Sequence, residues 1–142
     1  MASSRTKGSS YERELHVALL KAGWLVHRAY PSLKRSGKDG FFSLDQDVFG
    51  VFDLIATRPE GGVHWIQVTT DKKATARRRK MELFLNQLGR SHPIRVCSIL
   101  ALRYPGKKWR FQSYDTSNTW FDVTPYGPAI NIYWVSKKDN KR

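Results

Sequence analysis

The sequence predicts a single α/β domain built on a mixed β-sheet flanked by helices. Segments with helical periodicity alternate with short apolar segments of strand character, and Pro/Gly turns separate several of these strands. The 142 residues, 40% of them hydrophobic, are enough to bury one core. No repeat or linker divides the sequence, so we expect one domain over residues 10–135 between a flexible basic arm (1–9) and a basic tail (136–142).

The N-terminal third is predicted to contain a helix, a strand and a loop. Apolar residues at helical spacing predict a helix over residues 11–22, which Gly23 is suited to end. Residues 24–29 are predicted to form a short strand. Residues 32–45 are rich in Ser, Gly, Lys and Asp, which predicts a loop.

The middle of the chain is predicted to form a hairpin followed by a second helix. Apolar strands at residues 48–57 and 63–69 flank a Pro/Gly turn at residues 58–62, which is a hairpin signal. Residues 74–88 repeat the helical pattern and stop at Gly89.

Four further strands are predicted in the C-terminal part. Pro93 precedes an apolar strand over residues 94–101, and a second strand is expected at residues 109–113. Short strands near residues 119–123 and 130–135 would complete the mixed sheet.

The charge balance predicts a polyanionic partner. Lys and Arg number 25 against 12 Asp and Glu, which gives a formal net charge of +13. The basic residues recur along the whole length, which favours a nucleic acid over the alternative of general solubility charge.

The remaining composition predicts a soluble protein of the cytoplasm. The single Cys97 lies in an apolar run and is expected in the core, because one cysteine cannot cross-link a secreted fold. No membrane association is expected, since no apolar run reaches the ~18 residues of a spanning helix. No phosphate-binding loop motif is present, so no nucleotide cofactor is expected.

Candidate metal ligands lie on the two strands of the predicted hairpin. Asp53 stands in an otherwise apolar strand, where a buried carboxylate needs a partner such as a metal ion. Gln67 and Thr69, two residues apart on the next strand, share one face. Asp53, the Gln67 amide and the Val68 carbonyl offer the hard oxygen ligands that Mg²⁺ prefers. Spacing alone does not place Glu12, on the first helix, at this site.

Several motifs, in their order and spacing, resemble the archaeal-type Holliday junction resolvases of the PD-(D/E)XK nuclease superfamily. The similarity covers about residues 5–114, and cellular and phage-encoded origins both remain open. The motifs are Lys7-Gly8, Glu12-Arg13-Glu14-Leu15, Gly23-Trp24, Arg28, Ser32, Phe52-Asp53-Leu54-Ile55-Ala56, Trp65-Ile66-Gln67-Val68-Thr69 and Lys108-Trp109-Arg110-Phe111.

The resemblance implies a restriction-endonuclease-like core and assigns roles to individual residues. It implies that Glu12 is a helix-borne acid of the active site and that Asp53 is the central metal-binding acid. Gln67 stands where the family has a metal-binding glutamate, and Ser32 stands where it has the serine next to the scissile phosphate. Thr69 stands at the position of the catalytic lysine, and threonine cannot supply the positive charge.

A lysine from another position could replace the missing cation. Lys72 and Lys73 follow the strand directly, and Lys80 lies on the predicted helix after them. We prefer Lys80, because a long side chain on an adjacent helix can fold back over the sheet.

The resemblance also implies Mg²⁺, for which Mn²⁺ would substitute, branched DNA as substrate, and a homodimer. Two symmetric nicks require two active sites, which a two-fold dimer provides. The residues expected to contact DNA are Lys7, Arg13, Arg28, Lys34, Arg35, Lys38, Lys72, Lys73 and Arg77.

Simpler interpretations of the same residues stay open. Glu12 with Ser9 matches a helix capping box, Asp53 could face solvent, and Gln67 and Thr69 could be ordinary polar strand positions. The functional alternatives are another PD-(D/E)XK nuclease of restriction or repair type, and a catalytically impaired DNA-binding protein of the same fold.

Overall fold

The structure is a computed structural model that describes residues 4–29, 32–35, 41–44, 47–106, 108–125 and 133–134. In these residues, helices pack on both faces of a mixed β-sheet, which confirms the predicted α/β class. No helix in this part of the chain combines the length and apolar character that crossing a membrane requires.

The helices and strands follow one another in a simple order. A 3₁₀ turn at Asp71–Lys73 follows the strand Val63–Thr70 and precedes the helix Ala74–Leu85. The elements are α1 (Ser4–Lys21), β1 (Leu25–Arg28), β2 (Ser32–Arg35), β3 (Phe41–Leu44), β4 (Leu54–Thr57), β5 (Val63–Thr70), α2 (Ala74–Leu85), α3 (Pro93–Val96), β6 (Ser98–Tyr104), β7 (Lys108–Tyr114), β8 (Trp120–Val123) and β9 (Tyr133–Trp134).

The main sheet has the order β1-β4-β5-β6-β7-β8 within the described residues, and β9 pairs with β7. Strand β5 runs parallel to β6 and antiparallel to β4. A parallel pair needs a crossover connection, which here contains α2 and α3. Strands β2 and β3 form a separate antiparallel pair.

Successive side chains of β5 point to opposite faces of the sheet and contribute to two separate core clusters. Ile66 and Val68 belong to the cluster that contains Leu15 of α1. Their neighbours point to the other face, where Trp65 packs against the cluster that contains Met81 of α2. Gln67 therefore shares its face of the sheet with α2.

The predicted hairpin and the first helix are confirmed, with one shifted boundary. Strands β4 and β5 pair antiparallel across residues 58–62, and β1, β7 and β8 also lie at their predicted positions. Helix α1 begins at Ser4, earlier than predicted, and so includes part of the predicted flexible arm. Predicted strand 130–135 is described only at Tyr133–Trp134, and the predicted tail 136–142 lies outside the described residues.

Two predicted segments were wrong in the first half of the chain. The predicted loop 32–45 contains β2 and β3, which satisfy their backbone groups by pairing with each other. The predicted strand 48–57 forms only from Leu54. Before it, Phe49 and Gly50 have positive φ angles of 56° and 69°, which bend the chain into a tight turn.

The predicted strand 94–101 was also wrong at its start. Pro93–Val96 forms a short helix, in which Pro93 fits the first turn and the His92 side chain accepts a hydrogen bond from the Ile94 N–H. Strand β6 begins only at Ser98. Cys97, expected in the core, is partly exposed at the end of this helix.

Candidate functional site

Asp53 lies where the pairing of β4 with β5 ends. Its N–H donates to the Ile66 carbonyl at 2.8 Å, and its carbonyl accepts from the Ala29 N–H at 2.8 Å. Two residues further along β5, the Val68 N–H donates to Asp53 Oδ2 at 2.8 Å. The Asp53 carboxylate therefore accepts the hydrogen bond that a backbone carbonyl of a neighbouring strand would otherwise accept from Val68. Only 4% of Asp53 is exposed.

Gln67 is bound to the same carboxylate and leaves its own oxygen unpaired. Gln67 Nε2 donates to Asp53 Oδ2 at 2.8 Å and to the Val68 carbonyl at 3.1 Å. Both partners are acceptors, so the amide nitrogen must face them. Gln67 Oε1 is buried and has no hydrogen-bond partner. An unsatisfied buried acceptor costs about 1–3 kcal/mol, which makes this oxygen a candidate metal ligand.

Two further carboxylates meet at Asp53. The side chains of Glu12 on α1 and Asp47 in the turn before β4 lie close enough to Asp53 to shift its pKa. Burial, followed by the negative charges of Glu12 and Asp47, raises the pKa of Asp53 to about 9, although the hydrogen bond from the Val68 N–H opposes the shift. At neutral pH without a cation, Asp53 is therefore protonated.

Arg28 provides a positive charge at this acidic cluster. Its Nη2 lies 3.3 Å from Glu12 Oε2, and only 8% of the Arg28 side chain is exposed. Burial raises the pKa of Glu12, and the Arg28 charge opposes this shift. The capping interpretation of Glu12 is wrong, because the helix starts at Ser4 and Glu12 lies in its interior.

The oxygen atoms at this site fit a hard divalent cation. Asp53, Gln67 Oε1 and the Val68 carbonyl are the types of ligand that Mg²⁺ binds, and Glu12 lies beside them. Across the described residues, no three Asp, Glu, His or Cys side chains form a metal-binding group by themselves. A cation here would therefore depend on the neutral amide and carbonyl oxygens as well as on carboxylates.

Comparisons with known proteins give a structural likeness but no match in sequence. Neither a protein-family profile nor a curated protein sequence matches the chain. The fold is similar to that of Hjc, a Holliday junction resolvase from the archaeal hyperthermophile Archaeoglobus fulgidus, with a TM-score of 0.45 and 19% identity over 88% of each chain. A likeness at this level assigns no activity, so the site residues themselves carry the functional proposal.

The position of the expected catalytic lysine holds a buried threonine. Thr69 is 6% exposed and lies on the same face of β5 as Gln67. Lys72 and Lys73 are exposed in the 3₁₀ turn after β5, and Lys80 is half-buried on α2. A catalytic role for Lys80 stays a prediction.

The predicted DNA-contacting residues lie on several elements. Arg13 is exposed on α1 and Arg77 is half-buried on α2, whereas Arg28 is enclosed in the acidic cluster. Ser32 is the first residue of β2, opposite Leu44. The structure describes only the backbone of Lys7, Ser32, Lys34 and Arg35, and Lys38 lies outside the described residues.

Sequence reasoning missed Asp47 and the sheet-facing position of Arg78. Asp47 lay just ahead of the predicted strand 48–57, and only the adjacent Phe49-Gly50 pair could have signalled the turn that brings it to Asp53. Arg78 falls on the stripe that faces the sheet, and its Nε donates to Gln112 Oε1 at 2.8 Å. The four consecutive basic residues of α2, at positions 77–80, therefore do not all face solvent.

Proposed function

We propose that this chain is a structure-selective endodeoxyribonuclease that resolves four-way DNA junctions by metal-dependent phosphodiester hydrolysis. The observation that carries the proposal is the buried Gln67 Oε1 without a hydrogen-bond partner, on a side chain bonded to the buried Asp53 carboxyl group, whose pKa burial and the neighbouring acids raise. Both features cost free energy in the metal-free protein, and a divalent cation would relieve both.

The side chains of the site have distinct roles in this proposal. Asp53, Gln67 and the Val68 carbonyl would hold Mg²⁺ or Mn²⁺, which would activate water and neutralise charge on the phosphate. The Glu12 side chain is 20% exposed and so can reach a water molecule. Its raised pKa suits acceptance of a proton from that water, while Arg28 fixes its position.

The DNA substrate is supported by charge, and the junction by the motif resemblance. A net charge of +13 suits a polyphosphate backbone, and affinity should fall with salt by about 0.9 log units per log unit for each phosphate contacted. A homodimer would place two sites for paired nicks. We further propose that the protein acts in the cytoplasm.

The testing experiment compares four-way junction, linear duplex and flap DNA in Mg²⁺ and in Mn²⁺. Asp53→Asn should abolish cleavage and leave junction affinity within about threefold. Asp122→Asn is the matched control, because Asp122 is a partly buried acid on β8 that pairs with Arg110 at 2.7 Å, away from the site. Cleavage of duplex at the junction rate would favour a restriction or repair nuclease instead.

A second candidate is a DNA-binding protein of this fold that does not cleave. Thr69 supports it, because this buried neutral residue supplies no charge at the position of the family lysine. Tight junction binding without cutting in either metal would favour this candidate. Lys80→Met tests the replacement lysine: loss of cleavage with retained binding would support it, and unchanged cleavage would exclude Lys80.

A further inference from the structure

The turn before β4 exposes an aromatic side chain on a strained backbone. Phe49 has a φ angle of 56°, a left-handed conformation that costs free energy in a residue with a side chain. Yet 58% of this large apolar residue is exposed, so burial does not compensate the strain fully. Strain of this kind at an exposed position is more typical of a binding residue than of a packing residue.

The ring of Phe49 is nevertheless held in place. It stacks on the Phe84 ring of α2 with centroids 5.4 Å apart and planes 21° apart. The Trp65 ring of β5 lies 6.2 Å away. Phe84 itself packs edge-on against the buried Phe52 at 5.8 Å. The exposed ring is therefore the outermost member of an aromatic stack that begins in the core.

The same turn lies between Asp47 and Asp53, two members of the acidic cluster. The Gly50 N–H donates to the Asp47 carbonyl at 2.9 Å, and Val48 bridges to Phe52, which closes the turn. Two residues of chain span at most about 7 Å, so Phe49 lies within one nucleotide length of Asp47. Asp53 follows at the end of the turn. A phosphate bound at these acids would therefore bring DNA to the turn that presents this ring.

We propose that Phe49 is a base-stacking residue that receives an unpaired base next to the cleaved phosphate. This inference rests on the proposed action on branched DNA. A base at a branch point can leave its neighbours and stack on an aromatic ring, whereas bases inside continuous duplex already stack on each other. Stacking does not depend on base identity, so Phe49 would favour branched DNA without sequence preference.

The test uses a four-way junction with 2-aminopurine at the branch point, in Ca²⁺ so that binding is measured apart from cleavage. Wild-type protein should quench the 2-aminopurine fluorescence. Phe49→Leu should remove the quenching and weaken junction binding by about 5- to 100-fold, and Phe49→Trp should retain both. Affinity for linear duplex should stay unchanged in both variants.

Phe121→Leu is the matched control, because Phe121 is 41% exposed on β8 and is not part of the aromatic stack. Phe49→Gly serves as a second variant that removes the backbone strain. It should bind like Phe49→Leu, and circular dichroism would establish that both variants are folded.

The outcomes separate this inference from the proposed function. Normal quenching and junction affinity in Phe49→Leu would overturn the stacking role, whether or not the protein cleaves. Conversion of a wild-type dimer to monomer by Phe49→Leu, measured by sedimentation, would also overturn it by placing Phe49 in a subunit interface. Quenching by a wild-type protein that never cleaves would support stacking and contradict the nuclease. A wild-type protein that binds no DNA would contradict both.

Discussion

One hydrogen bond joins the Gln67 amide nitrogen to the Asp53 carboxyl group, and the Gln67 amide oxygen is left as a candidate cation ligand. Gln67 Nε2 donates to Asp53 Oδ2 at 2.8 Å, while Gln67 Oε1 is buried without a partner. The metal-free site therefore contains one satisfied donor and one unsatisfied acceptor on the same side chain. A cation that binds Oε1 would satisfy this buried acceptor.

Gln67→Glu should make the stability of the site depend on a divalent metal. The change removes the Nε2 donor and places a second carboxyl group against Asp53, so we expect a loss of about 1–3 kcal/mol without metal at neutral pH. Mg²⁺ or Mn²⁺ should restore most of it and bind more tightly than to wild type. Urea unfolding and calorimetric titration would measure both effects.

Gln112→Glu is the control for that variant. Gln112 is also a buried glutamine on this face of the sheet, and its Nε2 donates to Asp122 Oδ1 at 3.2 Å. Its replacement should destabilise the protein without rescue by metal. Equal rescue of the two variants would contradict a specific site at Gln67.

Asp53→Asn should stabilise the metal-free protein increasingly as pH rises. The pKa of Asp53 is about 9 in the fold against an ordinary 3.8, so between these values the folded state binds more protons than the unfolded state. Wild-type stability therefore falls as pH rises from about 4 to about 9, and asparagine lacks this loss. We expect a gain of about 1–3 kcal/mol at pH 8 that shrinks towards pH 5. Unfolding curves at both pH values measure it, and a pH-independent difference would contradict the protonated state.

Arg28→Met should destabilise the protein strongly, since it removes the cation from a buried acidic cluster. Loss of one partner of a buried ion pair costs about 3–5 kcal/mol. Adding Glu12→Gln should recover part of this loss, because the neutral amide no longer needs the charge. Arg58→Met is the control: its ion pair with Glu60 is exposed at 3.9 Å, and we expect a change below about 1 kcal/mol. Strictly additive effects of the Arg28 and Glu12 substitutions would exclude direct coupling.

Arg78→Met should reduce stability more than Arg79→Met. Arg78 faces the sheet and donates to Gln112, so we expect a loss of about 1 kcal/mol, whereas exposed Arg79 should change stability by less than about 0.5 kcal/mol. Burial and the nearby Arg110 charge lower the pKa of Arg78, which offsets part of the loss. Thermal unfolding of both variants checks the order, and a reversed order would contradict the sheet-facing position.

The hairpin could be predicted from sequence because its signals are local. Apolar segments and a Pro/Gly turn predicted β4 and β5, and the pairing brings Asp53 next to Gln67. The contacts of Glu12 and Asp47 with Asp53 depend on how α1 and the preceding turn pack, which a periodic pattern does not record. The proximity of Asp53 and Gln67 was therefore predictable, but the full acidic cluster was not.

The wrong elements arose where apolar residues do not form a strand. Val48, Val51 and Phe52 have strand composition, yet the positive φ of Phe49 turns the chain between them. Residues 94–96 are likewise mostly apolar, but Pro93 starts a helical turn there. In both cases local backbone geometry overrides composition.

The hairpin turn at residues 58–62 has a consequence for protein engineering. The Gly62 carbonyl accepts a hydrogen bond from Thr57 Oγ1 at 2.6 Å, and Thr57 pairs with Val63 across the hairpin. The length of the turn therefore fixes which residue of β5 pairs with each residue of β4. One inserted residue that displaced β5 by a single step would turn the Gln67 amide towards α1 and away from Asp53. Loop grafting or tag insertion at this surface turn can thus break the contact between Gln67 and Asp53 while leaving both side chains unaltered.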